Sequence, residues 1–86
     1  MLRDTALERF TKNQRKQLSL ITPMGTVTRD LEHALNALDE ILVDYELHDW
    51  CDHPSYRRYY RMFDITARAF LRVTKVLSLP GGPKFI

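Results

Sequence analysis

The chain reads as a small all-α domain, and three features of its 86 residues point that way. Its prolines and glycines are few and clustered, so regular structure is interrupted in only a few places. Between those breaks apolar residues recur at three and four positions, the spacing that lines one face of a helix. No segment alternates apolar and polar residues between turn signals, as a half-buried strand does. The fold class predicted is a three-helix domain built on an antiparallel hairpin of two long helices. A shorter helix precedes the hairpin, and oligomerisation completes the core. The helices are expected at about 4–21, 27–50 and 54–78, with residues 1–79 forming one helical domain and 80–86 a Pro/Gly-rich tail.

The first stretch is the weakest. Its apolar set is Ala6, Leu7, Phe10, Leu18 and Ile21, and its middle, TKNQRKQ, offers nothing to pack. Such a helix is expected to cap one end of the bundle rather than to lie along it. Arg9, Lys12, Arg15 and Lys16 make it basic. A basic amphipathic segment can also lie on an anionic membrane, but this apolar face is thin, and no membrane partner is expected. Pro23 and Gly25 mark the turn that follows.

The second stretch carries a seam of Leu31, Leu35, Leu38, Leu42 and Tyr45, widened by Ala34 and Ile41. That is heptad spacing, which keeps one stripe against a partner helix. Thr28 is the N-cap candidate, because its hydroxyl can accept from free N–H groups of the first turn. Glu32, Asp39 and Glu46 recur every seven residues on one flank.

The third stretch carries two seams. Tyr56, Tyr60, Phe63, Ala67, Phe70, Thr74 and Leu77 form one, and Tyr59, Met62, Thr66, Ala69, Val73 and Val76 form the other. Together they span roughly half the circumference at about 100° per residue. One partner helix covers only one such seam. Tyr59, Met62, Ala69, Val73 and Val76 are therefore the candidate interface of a homodimer or higher oligomer. On the hydrophilic side Arg57, Arg61, Arg68, Arg72 and Lys75 fall within about 60° of one another in projection. This ridge is the candidate site for an anion or a macromolecular partner.

Charge decides how to weigh the ridge. Residues 1–20 sum to +3, residues 21–54 to −7 and residues 55–86 to +6, for a net charge of +2. The near-balance favours arginines that face the acidic flank Glu32, Asp39 and Glu46 of the second helix, as opposite charges do in helical hairpins. Nucleic acid is the alternative, since an arginine ridge tracks phosphates and tyrosines stack on bases. A small anionic ligand such as a nucleotide is a further one.

The stretch HDWCDH, His48 to His53, holds the only cysteine and the only tryptophan. A zinc reading would use His48, Cys51 and His53, with Asp49 or Asp52 as oxygen ligand. The spacing matches no common zinc pattern, no second ligand pair lies elsewhere in the sequence, and His33 or a second copy would have to close the site. It reads as the corner between the long helices, with Trp50 closing the seam and Cys51 packed as a small apolar residue. Asp52 or His53 is expected to cap the next helix. No metal, cofactor or catalytic centre is expected. Cys51 lies among carboxylates that disfavour its thiolate, and no glycine loop for phosphate is present.

A single cysteine, no apolar run of membrane-spanning length and no signal-like N-terminus point to a cytoplasmic protein. The function expected is that of a non-catalytic, self-associating interaction protein: a small regulator, inhibitor or adaptor that binds another macromolecule, itself and another protein being the expected partners. The apolar end of the tail, Phe85-Ile86, either folds back or enters a partner groove.

Overall fold

The computed structural model describes residues 1–19 and 26–78, and their side chains except those of residues 19, 26, 27 and 75–78. The turn at Pro23 and Gly25, Ile21, the side chains of Lys75, Val76 and Leu77, and the tail 80–86 lie outside the described residues. The described residues form four helices: α1 (Asp4–Glu8), α2 (Lys12–Ser19), α3 (Thr26–Leu47) and α4 (Pro54–Ser78). The described residues contain no strand.

The long helices pack on each other along their lengths. Leu35, Leu38 and Leu42 of α3 meet Phe63, Ala67, Phe70 and Leu71 of α4 in one buried cluster, with Tyr56, Tyr59 and Tyr60 at its margin. Thr74 is buried within this apolar face because its hydroxyl donates back to the carbonyls of Phe70 and Leu71, at 2.8 and 3.0 Å. That local bond lets a polar β-branched residue occupy a core position without an unsatisfied donor.

The first expected helix is two. Thr11 Oγ1 accepts from the Gln14 N–H at 3.1 Å, while Gln14 Oε1 accepts from the Thr11 N–H at 2.9 Å. This reciprocal capping box starts a new helix at Lys12 and so ends the one before it. The expectation that the segment caps one end of the bundle is also overturned. α1 lies against α3 and α2 against α4, so the N-terminus forms a strap along one side of the hairpin. Ala6 and Phe10 enter the core, and Phe10 meets Phe63 edge to face at 5.7 Å. The break at residues 9–11 turns the chain where the largest apolar side chain of the strap, Phe10, has been placed.

Thr28 does not cap α3. It lies inside the helix and is buried. The other end stops at Leu47, three residues short of the expected boundary, because Asp49 takes a left-handed backbone with φ of 59°. The Trp50 N–H reaches back to the Tyr45 carbonyl at 2.8 Å, and the Asp49 N–H to that of Glu46 at 3.1 Å. These are the two bonds of a Schellman C-cap, and the Tyr45 and Trp50 rings supply its apolar contact at 5.8 Å. Glycine normally holds the Asp49 position because left-handed backbone costs other residues about 1–2 kcal/mol. Asp49→Gly should therefore raise stability by about 0.5–1 kcal/mol after the greater entropy of unfolded glycine is set against it. Thermal melts check this, and a lower melting temperature for Asp49→Gly would contradict the cap geometry.

The corner reading of HDWCDH is otherwise specific. His53 Nδ1 accepts from the Ser55 N–H at 3.1 Å and caps α4. His48 stacks on Trp50 at 4.7 Å, and Tyr45 touches Trp50, His53, Tyr56 and Tyr59 at once. Cys51 departs from expectation, since it is exposed rather than packed.

Candidate partner-binding surface

The acidic flank of α3 is taken up by the strap and not by α4. Asp39 is fully buried, and it receives Arg9 Nε at 2.6 Å and the Thr5 hydroxyl at 2.6 Å. The same guanidinium grips Glu46 with both terminal nitrogens, at 2.9 and 2.6 Å. Tyr56 donates its hydroxyl to Glu46 at 2.7 Å, and the Arg9 guanidinium lies 5.6 Å from the centre of the Tyr60 ring. Farther along α3, the N-terminal ammonium pairs with Glu32 at 2.7 Å. Between them Asn36 accepts from the Arg3 N–H and donates to the Met1 carbonyl, both at 2.9 Å. Every acid of the Glu32, Asp39 and Glu46 series is thereby engaged by residues 1–9 or by Tyr56.

The electrostatics follow from this geometry. Hydrogen bonding to Glu46 raises the Arg9 pKa above its ordinary value, against the opposing effect of burial. Arg9 in turn holds the Glu46 carboxyl below the usual carboxylate range. Burial first, and then the bond to Glu46, push the Tyr56 phenol up to about 12. A carboxylate with a lowered folded-state pKa contributes stability above its unfolded value and loses it as pH falls. The Glu46 contribution is therefore lost on the acid side.

The expected pairing of the arginine ridge with the acidic flank is thus corrected. Arg57, Arg61, Arg68 and Arg72 are exposed on α4, and so is Arg58, which the sequence reading left off the ridge. Arg68 pairs at 3.1 Å with Asp64, one turn back on its own helix. Arg57, Arg58, Arg61 and Arg72 form no ion pair among the described residues. Lys75 sits on α4 at the same angular position, with its side chain outside the described residues. Against the α2 end of the ridge, Gln14 and Gln17 join Arg68, Leu71 and Arg72 around a shallow groove. Near the corner, a second groove is lined by Arg57, Arg61, Tyr56, Tyr60 and Arg9.

The candidate interface residues occupy another side of α4. Tyr59 is half-buried against the core and Tyr45. Ala69 and Val73 are half-buried, whereas Met62 is 50% exposed. Ile65, absent from the expected seams, is 59% exposed between this row and the ridge. Val76 belongs to α4 with its side chain outside the described residues.

Besides Arg58 and Ile65, sequence reasoning missed the role of Arg9, read there only as one charge in a basic segment. Among the described residues no three His, Cys, Asp or Glu side chains converge as metal ligands would, and no helix is long and apolar enough to cross a membrane. No protein-family model, curated protein or solved structure matches the chain.

Proposed function

We propose that this chain is a non-catalytic, self-associating helical interaction protein, a small regulator, inhibitor or adaptor that acts by binding another macromolecule. The observation that carries the reading is the uneven covering of α4. Its core face meets α3, and the adjoining side carrying Tyr60 and Leu71 meets the strap. Met62, Ala69 and Val73 lie on the remaining apolar side, more than 100° round from Tyr60 and Leu71 at about 100° per residue. An apolar row left partly open on a helix of 25 residues is the kind of surface that a second copy covers.

Light scattering at micromolar concentration should report at least twice the 10.2 kDa chain mass. Met62→Glu places a charge on a side chain that is half-exposed in the single chain, so its cost falls on association, where the charge would be buried without a partner. The expected result is a folded chain of single mass for Met62→Glu, with the same tendency for Val73→Glu. A wild-type protein of single-chain mass throughout the concentration range would end this proposal.

A further inference from the structure

We infer that the arginine face of α4 binds the phosphate backbone of nucleic acid, with little preference for base sequence. This names one partner for the interaction reading, but it rests on a different side of the helix from self-association. The first ground is the missing counter-charge. The acids of the α3 flank are held by Arg9 and the N-terminal ammonium. Asp52, which lines a groove with Arg57, Arg58 and Arg61 at the corner, pairs with none of them. Arg57, Arg58, Arg61 and Arg72 are thus left without a paired carboxylate among the described residues. Over its whole length α4 carries six basic residues and one acidic residue, Asp64, which is tied to Arg68.

The second ground is geometry. From Arg57 to Arg72 the ridge runs about 22 Å at 1.5 Å per residue. Its members 57/61 and 68/72 stand in pairs about 6 Å apart. A straight row of this kind suits a linear polyanion, and a duplex presents a charge about every 1.7 Å of its axis. The third ground is side-chain type. Five of the six basic residues are arginine, whose forked, weakly hydrated guanidinium matches phosphate better than an ammonium does.

An acidic protein is the competing partner, and the surface fits it less well. Protein interfaces have an apolar centre depleted in charge, whereas protein–nucleic acid interfaces are more polar and far more positive. The ridge is charged along its length; Ile65 beside it is exposed, whereas Leu71 is buried in the core. Base stacking contributes little here, because Tyr56 is tied to Glu46 and Tyr60 already faces Arg9. Recognition is therefore of backbone rather than base.

The test is fluorescence anisotropy with a short mixed-sequence DNA duplex, comparing wild type with the triple variant Arg57→Gln/Arg61→Gln/Arg72→Gln. These side chains are exposed and form no ion pair among the described residues, so the variant should melt with the wild type. Wild type should bind with a log–log salt slope of about −4, for four or five phosphates at about −0.9 each. The variant should bind at least about tenfold more weakly at low salt, with a slope shallower by about 2.7. Absence of salt-dependent wild-type binding would overturn the inference, and so would equal binding by the variant. Polyglutamate displacing the duplex as well as unlabelled DNA does, at matched charge, would instead assign the face to an acidic protein. Mass measured on the same samples keeps failure here distinct from failure of self-association.

Discussion

Replacing Arg9 with Met should cost about 3–5 kcal/mol of folding stability, the loss expected when one partner of a buried ion pair is removed. Asp39 is 0% exposed and Arg9 only 9%, so the carboxylate left behind would keep the Thr5 hydroxyl as its one remaining described partner. A domain of this length holds roughly 4–13 kcal/mol in total, which makes Arg9→Met a variant near the edge of folding. The compensated change Arg9→Met/Asp39→Leu should recover most of the loss, because the charge that needed a partner is gone and apolar packing replaces the pair. Urea titrations of the three proteins check both statements. A loss below about 1 kcal/mol for the single variant would mean that Asp39 is hydrated, and the clamp would then be an ordinary surface pair.

Phe63→Ala should cost about 3–5 kcal/mol by leaving a cavity in the core. The ring is 1% exposed and lies where strap and hairpin meet, in contact with Phe10 and Tyr60. Phe10→Ala should be costly as well, and the double variant should cost less than the sum by about 0.5–1.5 kcal/mol, the usual worth of an edge-to-face pair. Met62→Ala, one residue from Phe63 on the open side, should stay within about 0.5 kcal/mol when measured below the concentration of self-association. Equal losses at the two positions would mean that the faces of α4 are wrongly assigned.

Different parts of this architecture were legible in the sequence to different degrees, and the reasons are physical. The limits of α4 coincide with the expected ones, because Pro54 and a 25-residue apolar rhythm are both local signals. The end of α3 was misplaced because Asp49 occupies a backbone conformation usually marked by glycine, so the letter carried no stop signal. TKNQ did carry one, but its polar side chains read as a gap in a helix, when two of them cap a new one. Arg9 was beyond such reading. Its partners lie 30 and 37 residues away, and a pairing across that distance has no period. For the ridge, helical spacing placed the arginines on one exposed face but could not assign their counter-charges. Segment sums balanced −7 against +6, yet it is the N-terminal strap that engages the Glu32, Asp39 and Glu46 series.

The brevity of α1 and α2 bears on the order in which the molecule assembles. Helices of five and eight residues fall well short of the roughly 12–15 needed to persist alone in water. The strap therefore has little structure to offer until α3 exists as a surface to receive it. The hairpin closes across a short connection and is the natural nucleus, while the strap must wait for loop closure over some thirty residues. The same asymmetry governs breathing of the folded chain. Opening of the strap is the least costly excursion, because it breaks the polar contacts of residues 1–9 and frees Phe10 while the larger α3–α4 core stays zipped. Amide protons of residues 4–8 should accordingly escape to solvent through openings that leave those at the centre of α4 protected.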